Sequence, residues 1–313
     1  MKQVSSAQTS VFVEPSPQEV MRRRLDVANQ DAGSRNQDAN RPNSVFLEWE
    51  PSRRIHGNEI EPTRVLTLLL ASSECSLQCS MCDLWRNTLS QPTPPGAIPR
   101  QIEYGLDHCR EQNDFAAVKT IKLYNSGNFF DPNTTPAGDD ARLIQLCEPF
   151  DRVVVENHPS IGTRRLFEFG KRLRGKLEVA VGLECIAPRM LKRLNKRLHP
   201  LQFFQFAKRL RDADIDLRVF LIHGLPWLMP MEAIHWTVLS ARFAAAAGAR
   251  HISVLPCRAG NGFMDHLQRE GVFTPPTHQQ MQDVFARLQS DPRFDNGPVL
   301  TLDTWGLDPD EVV

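Results

Sequence analysis

Three cysteines stand on one short segment, Glu74-Cys75-Ser76-Leu77-Gln78-Cys79-Ser80-Met81-Cys82, with the spacing C-x3-C-x2-C. Thiolates at this density are ligands rather than packing, because small buried cysteines usually occur singly. Three of them can hold three corners of a four-iron cubane, a cluster that usually takes four cysteines. The next cysteine, Cys109, lies beyond an expected helix, so one iron would stay open for a non-protein ligand. Zinc with three thiolates and one open position is the competing chemistry, although structural zinc usually shows paired C-x2-C hooks and a fourth protein ligand.

The elements that must position this segment are legible from residue 65 onward. Apolar, β-branched runs recur at 65–71, 118–124, 152–156, 177–184, 217–223 and 251–256. Segments of helical spacing lie between them at 99–113, 140–147, 163–173, 188–194, 201–212 and 231–247. Strands alternating with helices, and apolar on both faces, predict a parallel sheet covered by helices. Six units are too few for a closed eight-stranded barrel. The expected fold is therefore α/β: a partial (β/α)6 barrel with a parallel sheet, an irregular N-terminal arm and a short C-terminal extension. We expect the arm over 1–62, the barrel over 63–256 and the extension over 257–313. Within the arm, Ser16 and Glu19 form a helix-start pattern, 44–50 reads as a short strand, and the polar stretch 29–44 reads as mobile. The extension should carry a helix at 277–289 and a strand at 299–302.

Nearly every run ends in a polar residue, Gly or Pro, at the edge where parallel α/β proteins place ligands. The cysteine segment follows the first run. An open iron on three thiolates suits S-adenosylmethionine (SAM), whose amino and carboxylate groups can chelate it. The cofactors then carry the radical chemistry, and the protein orients them and excludes water. On Cys75, Cys79 and Cys82 at the end of a first strand, the chain resembles the radical SAM superfamily over 65–256.

That resemblance implies a [4Fe-4S] cluster on Cys75, Cys79 and Cys82, and SAM as the second cofactor. It implies cofactor contacts at Ser126, Gly127 and Asn128 after the second strand, assigned by position because the usual Gly-Gly-Glu form is absent. Glu156 and Glu184, at the ends of the third and fourth strands, are implied contacts to ribose hydroxyls or the cofactor amino group; a salt bridge would serve them equally. Leu225 and Pro256, with Leu255, are implied walls of the adenine pocket or plain core. By position alone, Cys185 and Cys257 directly follow strand ends and could face a substrate chamber, to donate a hydrogen atom or hold a substrate covalently, or be inert buried thiols. Trp85 and Arg86 would pack the cluster loop, whereas Lys196 and Arg218 could clamp carboxylates or lie exposed.

Composition narrows the partners. Lys plus Arg and Asp plus Glu balance at 37 each, so no global field favours nucleic acid or an anionic membrane. The stretch 171–211 is nonetheless strongly basic, with 12 Lys and Arg against Glu178 and Glu184, as a phosphate-binding flank would be. The barrel phrases are most similar to the archaeosine-biosynthesis and Elongator-type branch, which implies tRNA modification. The radical chemistry implies a low-potential donor of ferredoxin or flavodoxin type. No apolar run is long enough to span a membrane, and no cleavable leader is visible, so the expected address is the cytoplasm. A zinc-binding nucleic-acid module, or a non-catalytic partner that keeps the cluster, are the other classes the residues allow.

Overall fold

The structure is a computed structural model that describes residues 15–28, 38–53, 60–110, 115–304 and 306–307. Eight strands form one sheet in chain order: β1 (Ser44–Arg53), β2 (Ile60–Leu69), β3 (Thr120–Tyr124), β4 (Arg152–Glu156), β5 (Lys176–Glu184), β6 (Asp216–His223), β7 (His251–Pro256) and β8 (Val299–Leu302). β1 runs antiparallel to β2, and every other pairing is parallel. The six expected strands are therefore the middle of the sheet. β8 adds a parallel seventh neighbour, and the short strand expected in the arm is a ten-residue strand paired along its whole length with β2.

Nine helices accompany the described strands. They are α1 (Pro17–Ala28), α2 (Ala97–Arg110), α3 (Asp140–Cys147), α4 (Thr163–Arg172), α5 (Pro188–Arg193), α6 (Pro200–Asp212), α7 (Pro230–Ala246), α8 (Phe263–Arg269) and α9 (His278–Gln289). α1 starts where the sequence pattern placed it, with the Glu19 N–H donating to Ser16 Oγ at 3.1 Å. α8 had no sequence signal beyond its length of seven residues. Most of the stretch expected to be mobile lies outside the described residues.

One face of each strand meets the helices. Leu66, Leu68, Ile121, Leu123, Val153, Val155, Val179, Val219, Leu221 and Ile252 join Ile102, Leu143, Phe169, Phe203 and Ala244 in a single apolar core. We expected strands apolar on both faces, and the structure corrects this. Alternation puts Lys122, Arg152, Glu178, Arg218 and His251 on the opposite face, and all five are buried. These side chains also show that the sheet curls. Glu50 of β1 accepts from Lys122 of β3 at 2.9 Å and from Arg218 of β6 at 2.6 Å. Glu178 accepts from Arg152 at 2.8 Å, Arg218 at 2.7 Å and Arg250 at 3.3 Å, and Arg152 also reaches Asp216 at 2.6 Å. Arg218, whose role the sequence left open, is therefore a buried strut of the lumen.

Buried charges survive only when paired, and here the pairing is dense. Burial works against both carboxylates, but the surrounding cations win. Arg218 and Lys122 hold Glu50 down to about 2, and Arg218, Arg152 and Arg250 hold Glu178 far below the usual carboxylate range. Carboxylates with depressed folded values contribute stability that is complete above their ordinary value of 4.5 and is lost as pH falls through the folded one. Glu178→Gln should cost about 3–5 kcal/mol in urea unfolding at pH 7, because it leaves three guanidinium groups undercompensated. An unchanged midpoint would show that the network carries no stability.

Candidate functional site

The cysteine segment leaves the carboxyl end of β2 and is fastened to the next strand's exit, where Ser72 Oγ donates to the Asn125 carbonyl at 2.7 Å. Cys79 is buried, and Cys75 and Cys82 are half-buried. Desolvation pushes all three thiols up, Cys79 to about 11 and Cys82 to about 12. Arg24, in helix α1, partly offsets this for the latter two. Loading with a metal would therefore release protons. Among the described residues, no three His, Cys, Asp or Glu side chains converge in the manner of a single-ion site. A cubane, by contrast, is gripped at separate corners.

Asn128 comes directly to the cysteine segment. Its Nδ2 donates to Cys75 Sγ at 3.1 Å, while its Oδ1 accepts from the His158 N–H at 2.7 Å. The turn before it needs a left-handed residue, and Ser126 takes that role with φ 50°. Gly127 lies close against Thr134, where an added Cβ would sit 3.2 Å from Cγ2. Neighbouring Asn125 is fully buried, and neither polar atom of its side chain has a hydrogen-bond partner among the described residues. A buried amide without partners is costly, which marks Asn125 as a residue that sequence reasoning missed.

Glu156 ends β4 and accepts from the Asn125 N–H at 3.2 Å. Among the described residues no cation pairs with it. Burial raises its carboxyl to about 7, only partly opposed by the Asn125 N–H and the more distant Lys196, and nearby Glu184 adds to the rise. Glu184 takes the other solution. Its Oε1 meets Lys196 Nζ at 2.5 Å with both side chains largely buried. Burial disfavours the Lys196 ammonium, but Glu184, Cys79 and Cys75 more than compensate and hold it above its ordinary range. The pair sits at a register slip between β5 and β6. Glu184 is left-handed there, at φ 60°, and Gly182 makes the space, since a Cβ would run into the ends of both side chains. Such strain gathers at functional sites.

The structure thus brings Cys75, Cys79, Asn128, Glu156, Glu184 and Lys196 within electrostatic range of one another at one barrel edge. Leu225 lies in a neighbouring apolar cluster with Cys185, Cys257, Met190, Phe263 and Met264, against which Met81 of the cysteine segment packs. Pro256 ends β7 opposite His223 and is buried, and Leu255 is half-buried. Cys185 and Cys257 are 2% and 1% exposed within that cluster, and burial raises both thiols. Trp85 is buried under the Arg24 guanidinium, and Arg86 donates to the Gly260 carbonyl at 2.8 Å. From the basic stretch, Arg189, Lys192 and Arg197 are exposed beside the cysteine segment, and Arg193 lies 5.3 Å over the Trp227 ring. Lys208 and Lys176 are instead paired with Asp212 and Asp214.

No family model matches the chain. An uncharacterized protein of Methanocaldococcus jannaschii is 22% identical over 249 residues, which cover 76% of this chain and 67% of that protein. A radical SAM methyltransferase from Sphaerobacter thermophilus superposes with a TM-score of 0.53 at 14% identity, covering 84% of this chain and 77% of that one. The Elp3 of Methanocaldococcus infernus, truncated at its N-terminus, superposes with a TM-score of 0.50 at 12% identity, over 68% of this chain but 53% of its own length. No helix among the described residues is long and apolar enough to cross a membrane. The chain has an α/β barrel-like fold similar to that of radical SAM enzymes.

A carboxyl raised in the folded state costs stability once it ionises, so the cost is absent below 4.5 and complete above about 7. Glu156→Gln should therefore be more stable than the parent by about 1–2 kcal/mol at pH 8 and no more stable at pH 4.5, measured by urea unfolding. Equal stability at both values would contradict the uncompensated state of Glu156.

Proposed function

We propose that this chain is a radical SAM enzyme in which Cys75, Cys79 and Cys82 hold a [4Fe-4S] cluster and SAM occupies the open iron. One observation carries the reading. The three thiols stand at the carboxyl edge of the first parallel strand, beside buried polar groups whose bonding capacity the described residues leave unfilled. When bound, the cluster would supply one electron for cleaving the sulfur–carbon bond of SAM, with methionine as the leaving group, and the pair would supply hydrogen-abstraction chemistry to the substrate.

The chain's own residues fit those two groups. Asn128 orients the Cys75 sulfur through its amide. Asn125 offers a buried amide donor and acceptor with no partner among the described residues, suited to an amino acid moiety. Glu156 is a carboxylate awaiting a donor such as an ammonium or a hydroxyl, and such a partner would return it to its charged form. Lys196 pairs with Glu184 at the same edge. Leu225 and Pro256, both buried, would supply apolar wall.

For the substrate we propose tRNA. The support is the exposed Arg189, Lys192 and Arg197, with Arg193 stacked on Trp227, on the stretch whose Arg193 and Leu194 carbonyls accept from Ser80 of the cysteine segment. Phosphate contacts and aromatic stacking are the usual means of gripping such a strand. A low-potential donor of ferredoxin or flavodoxin type would reduce the cluster.

The test is anaerobic reconstitution with iron and sulfide, followed by reductant, SAM and bulk tRNA, with 5′-deoxyadenosine followed by mass. The parent should produce it, and the triple variant C75A/C79A/C82A should fall to background. A folded, anaerobically prepared parent that takes up no iron overturns the reading. Gly182→Ala should keep its iron but bind SAM about tenfold more weakly, ~1.4 kcal/mol, because the new methyl displaces Glu184 and Lys196. Unchanged affinity would remove that pair from the cofactor site. tRNA affinity should fall steeply with salt, and a flat dependence would contradict phosphate contacts.

A further inference from the structure

The carbonyls of the cysteine segment are held from outside by three side chains. Asn195 Nδ2 donates to the carbonyls of Leu77 and Gln78, both at 3.2 Å. Asn261 Nδ2 donates to those of Ser80 at 2.6 Å and Cys82 at 3.2 Å. Arg24 Nη2 donates to the Cys79 carbonyl at 2.7 Å and the Cys82 carbonyl at 3.5 Å, while its Nη1 meets Glu74 Oε1 at 2.8 Å. The two asparagines belong to loops of the barrel. Arg24 comes from α1, which precedes it.

The cost of this arrangement is what makes it informative. Arg24 is 2% exposed, and its Nε is buried with no hydrogen-bond partner among the described residues. A guanidinium stays charged in any protein, and burying it without full compensation is unfavourable. Val20, one turn earlier, is fully buried in the apolar cluster that holds Phe263 and Met264 of α8, so an apolar residue at 24 would dock the helix as well. The chain instead keeps a guanidinium here, paired on one side with Glu74 and with one donor uncommitted among the described residues, beneath the backbone of two thiols.

The geometry points to Arg24 as a positioning residue of the cluster. It ties the order of the cysteine segment to α1, and its charge makes the bound cluster easier to reduce. This rests on the cluster reading proposed above. Nearby hydrogen bonds and charge are established determinants of cluster potential, and a cation favours the state that has gained an electron.

Full-length Arg24→Gln and Arg24→Lys separate the two roles. In the unloaded protein, hydrogen exchange of the amides at 75–82 should quicken about tenfold in Arg24→Gln. It should quicken less in Arg24→Lys, which cannot span three acceptors, and exchange in the barrel strands should not change. After anaerobic reconstitution, an EPR-monitored titration should place the Arg24→Gln cluster about tenfold harder to reduce, ~59 mV lower for one electron. Arg24→Lys, which keeps the charge, should stay near the parent. Faster exchange with an unmoved potential overturns the inference, leaving a mere structural tether, and unchanged exchange overturns it outright. If Arg24→Gln does not fold, Arg24→Met, uncharged and suited to the apolar cluster around Val20, is judged by the same outcomes: quicker exchange with a lowered potential supports the inference, and an unmoved potential overturns it. A parent that takes up no iron sinks the cluster reading instead, while the exchange experiment still judges the tether.

Discussion

Charge and polarity taken out of water must find partners, and this barrel meets that demand in opposite ways along its axis. In the lumen Glu178 is shared by Arg152, Arg218 and Arg250, and Glu50 by Lys122 and Arg218. At the carboxyl edge, a few residues further along the same strands, Glu156 has no cation and Asn125 has no partner for its amide among the described residues. A fold able to satisfy the first set could have satisfied the second. The contrast places the unfilled demand beside the thiols, where the strain at Ser126 and Glu184 also gathers. Such costs are borne at sites that gain a ligand, and relieving them tends to stabilise the chain at the expense of function.

Much of the fold was legible because helices and outward strand faces obey simple periods. α3, β4 and β7 fall on the residues the pattern chose. The lumen was not legible. Arg152, Glu178 and Arg218 look like ordinary strand-end or surface charges in one dimension; strand pairing makes them partners across 26 and 40 residues, and the curl of the sheet brings Glu50 to Arg218 across 168. The role of β1 was understated for the same reason. Its alternation is interrupted by Pro51, and its value lies in pairing with β2 and in delivering Glu50 inward.

The site shows the same division. Cys75, Cys79 and Cys82 announce themselves by spacing, and Glu184 by its place at a strand end. Lys196 was visible as a residue but not as the partner of Glu184, because the pair depends on the bulge that Gly182 permits. Asn125, Asn195 and Asn261 carry no sequence signal at all. Their amides act on backbone carbonyls or stand unfilled in the interior, features that exist only once the loops are brought together. Arg24 lies in a segment that reads as an appendage, yet its fork closes the underside of the cysteine segment. The thiols are the readable part of the site. The elements that hold them are written mostly in three-dimensional contacts.

The central claim is a cluster gripped by three sulfurs with one iron left to SAM. Mössbauer spectroscopy of protein reconstituted anaerobically with isotopically enriched iron tests it most directly. The account predicts a four-iron cluster in which SAM shifts about a quarter of the iron signal. Iron that fails to bind, or a spectrum that SAM leaves untouched, would contradict it.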